Sequence, residues 1–88
     1  MIRRQVTLCN KLGLHARAAS KLVQTATGFD CSIWLERDHR RVNAKSIMGV
    51  LMLAAPCGTT LEVECDGPDE KPAMDAIEEL IEQRFGED

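Results

Sequence analysis

Apolar and polar residues change their spacing several times along this chain, and each change marks an element. Ile2, Val6 and Leu8 fall on one face of an extended segment, with Arg3, Gln5 and Thr7 on the other, the two-residue period of a half-buried strand running to about Cys9. Ala16, Ala19, Leu22, Val23 and Ala26 then recur at three- and four-residue intervals, which predicts an amphipathic helix from about Ala16 to Thr27. Gly28 follows where a left-handed helix C-cap is expected. Between Cys31 and Arg37 the residues Cys31, Ile33 and Leu35 alternate with Ser32, Trp34 and Glu36, and Arg40 to Asn43 reads as the return strand of a hairpin. No Asn-Gly pair marks the Asp38-His39 turn between them. Ser46 is placed to cap a short helix through Ile47 to Ala55, ended by Pro56-Cys57-Gly58. Thr60 to Asp66 alternates again, with Leu61, Val63 and Cys65 inward and Glu62, Glu64 and Asp66 outward. After Gly67-Pro68, Asp69 is expected to cap a last helix reaching about Phe85, with Pro72 in its first turn, where no intrahelical N–H is needed. Ala73, Ile77, Leu80 and Ile81 form its buried stripe, and Asp75, Glu78, Glu79 and Glu82 its wet side.

Strands that each bury one face, in the order strand-helix-strand-strand-helix-strand-helix, predict an α+β fold. The expected architecture is an open-faced β-sandwich, a four-stranded antiparallel sheet covered on one face by three helices. Eighty-eight residues suit one domain over 1–88, and a chain of this size buries roughly 60–65% of its unfolded surface, enough for one modest core. Hydrophobic content of 44% and charged content of 28% read as soluble and globular. Charge in Met1-Ile2-Arg3-Arg4-Gln5-Val6 argues against a signal peptide, and the longest apolar run, Ile47 to Pro56, is about half a membrane span. Cys9, Cys31, Cys57 and Cys65 form no C-x-x-C pair, so free thiols are expected. Neither His15 nor His39 lies at ligand spacing from a cysteine, so no metal site is expected either. The net charge of −3 is uneven: residues 1–61 hold nine basic and three acidic residues, residues 62–88 two and eleven. A positive half suits an anionic ligand or an acidic partner protein, and equally a solvated surface of uneven charge.

The stretch Asn10-Lys11-Leu12-Gly13-Leu14-His15-Ala16-Arg17 changes that picture most. It puts His15 at or just before a helix start, beside the Ala16 and Arg17 amides, which lack intrahelical partners, and at the positive end of the helix dipole. A lone histidine is most often a surface or capping residue. Here Gly13 frees the backbone, two amides face an anion site, and Arg17 adds a cation. Residues two apart on a helix do not face each other, so Arg17 reaches His15 only if His15 lies outside the regular helix, which the cap position allows. Its guanidinium then grips phosphate oxygens in a fork. An unperturbed imidazole titrates near pH ~6.5 and is substantially nucleophilic in the cytosol. A titratable nucleophile at an anion site points to a group that accepts and returns a phosphoryl group.

Ser46 reads first as a plain N-cap; its exposed hydroxyl at a helix start could also take a phosphate and alter whatever docks there. The segment Ile47 to Ala55 is apolar on every side, so it is either core or a docking patch, with Met48 and Met52 the residues expected outside. Trp34 is expected to be partly exposed. A single aromatic makes no base-stacking platform, and no nucleic-acid partner is expected. Arg37, His39, Arg40 and Arg41 read as a wet hairpin tip.

With Gly13-Leu14-His15-Ala16-Arg17, Asn43-Ala44-Lys45-Ser46-Ile47-Met48 and this element order together, the chain resembles the HPr family of histidine-containing phosphocarriers of the bacterial phosphoenolpyruvate-dependent phosphotransferase system, from Gln5 to about Phe85. The resemblance implies phosphorylation of His15 at Nδ1 by enzyme I using phosphoenolpyruvate, and transfer to an EIIA-type acceptor. It implies a phosphate-stabilising Arg17, and at Ser46 the serine that a dedicated kinase, HPr kinase/phosphorylase, modifies in some bacteria. It implies a docking surface of Leu14, Ile47, Met48, Leu51 and Met52. We expect a cytoplasmic monomer without cofactor or membrane partner, a carrier rather than an independent turnover enzyme. Many members have proline where this chain has Ala18, a departure that touches the rigidity of the first helical turn rather than the chemistry. The Asn10-Lys11-Leu12 lead-in and the Phe85-Gly86-Glu87-Asp88 end also resemble the nitrogen-related paralogues. The alternative is therefore a regulatory module of that branch, acting mainly by docking through Ile47–Met52. A small α/β phosphatase using Arg17 and Asn43 on acyl phosphates fits the element order too, but has no use for His15.

Overall fold

A computed structural model describes residues 1–87, and its elements are β1 (Ile2–Thr7), α1 (Ala16–Thr27), β2 (Ser32–Arg37), β3 (Arg40–Asn43), α2 (Ile47–Met52), β4 (Thr60–Asp66), α3 (Glu70–Glu82) and a 3-10 turn at Arg84–Gly86. The sheet order is β1-β4-β2-β3, with every neighbouring pair antiparallel. β4 thus lies in the interior of the sheet although it is last in sequence, and its inward residues Leu61, Val63 and Cys65 are fully buried. They pack with Ala18, Ala19, Leu22 and Ala26 of α1 and Ala73, Met74, Ile77 and Ile81 of α3 in one core. The other face of the sheet carries Arg3, Gln5, Trp34 and Glu62 and stays in contact with water. This is the open-faced α+β sandwich that the alternation predicts.

Gly28 ends α1 but not in the left-handed region: at φ −75° its amide donates to Thr25 O at 3.2 Å, a last tightened right-handed turn. Several boundaries also differ from the sequence reading, each for a physical reason. β1 stops at Thr7, but its line continues because Leu8 exchanges backbone bonds with Thr59 and Gly58, at 2.9 and 2.7 Å. The hairpin turns on Asp38 and His39, both at positive φ (51° and 67°), a primed two-residue turn built without glycine. α2 ends at Met52 rather than Ala55, because Ala54 enters the left-handed region at φ 49°. Its last carbonyls are taken by the hairpin: Arg37 Nη1 donates to Leu53 O (2.7 Å) and Ala54 O (3.0 Å), and Arg40 Nη1 to Met52 O (2.7 Å). The basic cluster expected to be only a wet tip therefore closes the end of α2. Asp69 occupies the N-cap position of α3 without capping it. Its carboxylate accepts instead from the Asp30 and Cys31 amides at 2.7 and 2.8 Å, tying the loop before β2 to the start of α3. Those bonds, the Asp30 amide first, hold its carboxyl below the usual carboxylate range. α3 ends at Glu82, not Phe85, and Phe85 is buried in the core at φ 55°. All four cysteines are free thiols, Cys31 and Cys65 buried and Cys9 and Cys57 exposed.

Candidate functional site

The loop ahead of α1 is clamped before His15 is reached. Gly13 has φ +63°, and a Cβ there would lie 2.3 Å from the Ala55 carbonyl oxygen and 2.7 Å from Pro56 Cα, so only glycine fits. The next amide, Leu14 N, donates to that same Ala55 oxygen at 2.9 Å. The Leu14 side chain points into the core and is 4% exposed. Leu14 therefore anchors the loop from inside and cannot line a docking surface as expected; the exposed apolar side chain of this loop is Leu12. Asn10 is buried and donates from Nδ2 to Gly13 O at 2.7 Å, while Gly13 N donates back to Asn10 O at 3.2 Å. Turning the Asn10 amide over would set its oxygen against that carbonyl, so Oδ1 is left buried without a partner among the described residues, at a cost of about 1–3 kcal/mol.

His15 follows as the N-cap of α1, with extended backbone (φ −75°, ψ 175°) and its carbonyl accepting from Ala19 N at 2.8 Å. The amides of Ala16, Arg17 and Ala18 precede any intrahelical bond. Ala18 is buried, while Ala16 and Arg17 are exposed, so the first two amides belong to residues that face water. Arg17 makes no hydrogen bond or ion pair among the described residues, which leaves its guanidinium able to turn toward an anion beside the ring. The imidazole itself is 27% exposed, and its Nε2 bonds to Glu87 Oε2. Nδ1 bonds to no described residue. Glu87 Oε1 accepts in turn from Asn10 Nδ2 at 3.1 Å. The His15 bond first, then the Asn10 bond, hold the Glu87 carboxyl below the usual carboxylate range. Sequence reasoning missed Glu87 as a partner of the ring and Asn10 as the donor that holds that carboxylate, and the contact with Glu87 spans 72 residues with no local signal.

The second anchor sits at the start of α2. Ser46 is exposed and caps the helix, its Oγ accepting from Gly49 N at 3.2 Å. Behind it Met48 and Met52 are 67% and 59% exposed and Ile47 lies at the surface, while Val50 is buried and Leu51 packs partly against the core. α2 packs against α1. Asn43 does not reach into a pocket with Arg17: its Oδ1 accepts from the Lys45 amide at 2.9 Å. What the arrangement offers is a ring nitrogen bonded to no described residue, the amides of the exposed Ala16 and Arg17, the exposed Arg17 guanidinium and an apolar surface on the packed neighbouring helix. No described helix is long and apolar enough to cross a membrane.

Comparison with known proteins agrees with this fold. The family model for the PTS HPr component phosphorylation site matches residues 2–83. Phosphocarrier protein HPr of Cupriavidus necator is 56% identical over 87 residues, covering 99% of this chain and 98% of that protein. Phosphocarrier protein NPr of Shewanella violacea is 44% identical over 86 residues, covering 98% of this chain and 94% of that protein. The crystal structure of an HPr from Thermoanaerobacter tengcongensis superposes with a TM-score of 0.97 at 44% identity, covering 100% of this chain and 99% of that one.

Proposed function

The chain belongs to the HPr family of the phosphotransferase system, and we propose that it carries a phosphoryl group on His15 Nδ1, taken from phosphoenolpyruvate-charged enzyme I and passed to an EIIA-type acceptor. One observation supports this above others: His15 stands at the α1 N-cap with Nε2 bonded and Nδ1 without a partner among the described residues, next to the exposed Ala16 and Arg17. In the transfer the Nδ1 lone pair attacks phosphorus, the new N–P bond forms as the donor's bond to phosphorus breaks, and that electron pair leaves with the donor. The Ala16 and Arg17 amides and the Arg17 guanidinium bind the phosphoryl oxygens. About two negative charges at the positive helix end gain roughly 0.3–2 kcal/mol, modest enough for the group to stay transferable.

Ile47, Met48 and Met52, with the accessible edge of Leu51, form the partner-docking face, and Leu12 extends it from the His15 loop. Phosphorylation of Ser46 by an HPr kinase would place charge beside that face. The protein acts as a cytoplasmic monomer. Incubation with enzyme I and phosphoenolpyruvate is expected to add one phosphoryl group, acid-labile and base-stable, to His15, and none to His15→Ala. An unchanged mass with a competent enzyme I overturns the reading. The exposed apolar helix also favours a second reading, a docking module of the nitrogen-related branch, for which His15→Ala would leave every function intact and Met48→Glu would abolish binding.

A further inference from the structure

We propose that Glu87 is a positioning residue that holds the Nε2 edge of the His15 ring and thereby directs the phosphoryl group to Nδ1. The inference deepens the carrier reading and rests on it. Arg84, Phe85 and Gly86 take three successive positive φ angles (56°, 55° and 76°), which turn the chain sharply after α3. Phe85 plugs into the core, and Lys21 Nζ on α1 donates to the Phe85 carbonyl at 2.6 Å. Glu87 N closes the turn on Arg84 O at 2.9 Å. The tail is thus folded back onto α1, and the Glu87 side chain, 18% exposed, is delivered to the ring. One carboxylate then bridges two groups: Oε2 meets His15 Nε2, and Oε1 accepts from Asn10 Nδ2, itself fixed by Gly13 O at 2.7 Å. Tail, loop and imidazole are locked in one arrangement.

The chemistry follows from the hydrogen inventory. An ionised carboxylate can only accept, so Nε2 must carry the hydrogen. A neutral imidazole with its hydrogen on Nε2 has a nucleophilic lone pair only at Nδ1. When the phosphoryl group arrives, the Nδ1–P bond forms, the donor's bond to phosphorus breaks, and its electron pair departs with the donor. Nε2–H stays in place, and the ring becomes cationic opposite the Glu87 carboxylate. When the phosphoryl group leaves, the ring returns to neutral with no proton moved. Lys21, the α1 cation whose charge also acts on the Glu87 carboxyl, is engaged with the Phe85 carbonyl.

A small donor that no protein orients separates this role from docking. Potassium phosphoramidate is reacted with protein carrying 15N-labelled imidazole in a His39→Asn background, and phosphorus–nitrogen coupling reports which ring nitrogen is modified. The parent is expected to form mainly the Nδ1 product. In Glu87→Ala the Nδ1-to-Nε2 product ratio falls roughly 2- to 12-fold, the range that one hydrogen bond supports. Glu87→Gln, whose carboxamide oxygen still accepts from Nε2–H although its amino group now meets Asn10 Nδ2, restores the ratio in part. A loss of general structure would not be rescued in this way. Equal ratios in parent and Glu87→Ala, or no rescue by Glu87→Gln, overturn the proposal. If enzyme I labels all three proteins while the ratios stay equal, the positioning role falls and the carrier reading stands. If the ratios shift but enzyme I labels none of them, the carrier reading falls instead.

Discussion

Glu64 shows how much of a residue's environment can come from distant parts of the chain. It points outward from β4, as the alternation predicts, yet it is only 9% exposed. Arg3, its register partner on β1, donates to Oε1 at 2.6 Å, and Arg41 reaches across β2 to Oε2 at 2.7 Å, its guanidinium 4.7 Å from the Trp34 ring centre. Outward orientation was legible from the two-residue period; burial was not, because partners 61 and 23 residues away create it. The Arg41 bond, then the Arg3 bond, lower this carboxyl from 4.5 to about 2. A depressed folded value means a contribution that is complete above the ordinary carboxylate range and is lost as pH falls toward 2. Glu64→Gln is therefore expected to be less stable by about 1–2 kcal/mol near neutrality, less than two charge-assisted bonds could give in a dry core because both arginines are half in water. Denaturant melts at several pH values should show the gap closing as pH drops from about 5 to about 2. A gap independent of pH would mean that packing, not charge, holds the side chain.

At the scale of elements, legibility follows from where the ends are decided. α1, β3 and β4 have the bounds that the sequence predicts, because their apolar period and flanking turn residues are local. α2 and α3 do not, because their ends are set by the rest of the fold. The apolar run reads as helix through Ala55, but the Ala55 carbonyl is claimed by Leu14 and the arginines of the hairpin satisfy the carbonyls of residues 52–54. α3 stops early because Phe85 must reach the core, and that turn is what carries Glu87 to the ring, a contact no periodicity encodes. The start of α2, by contrast, was plain from Ser46. Aspartate caps a helix as well as serine does, so Ser46→Asp should change stability by no more than about 0.5 kcal/mol. It also sets a charge at the edge of Ile47 and Met48, where an apolar contact must be desolvated. Transfer from enzyme I should slow about tenfold, the effect of ~1.4 kcal/mol at the interface. Equal transfer rates for parent and variant would remove Ser46 as a control point.

For the whole molecule, the proposed docking role would draw on both the uneven charge and the exposed apolar patch. The acidic residues Asp75, Glu78, Glu79 and Glu82 line α3, whereas His15, Arg17 and Ser46 belong to the basic part of the chain. An acidic partner would be drawn to that part over long range, an attraction that weakens with salt. Contact would then be made by side chains that the fold leaves outside, Met48 above all. The two contributions can be told apart. Raising ionic strength should lower kcat/KM for transfer from enzyme I through the association rate, whereas Met48→Glu should lower it about 5- to 30-fold at any salt, because a charge replaces an anchor near the centre of the contact. His15→Ala should bind enzyme I in titration calorimetry nearly as well as the parent while accepting no phosphoryl group. That pairing matters, since a docking surface and a reactive nitrogen on separate elements predict that binding and chemistry are separable by mutation. Were His15→Ala to lose binding as completely as Met48→Glu, the ring would itself be part of the contact, and the division of labour between the helix start and α2 would have to be abandoned.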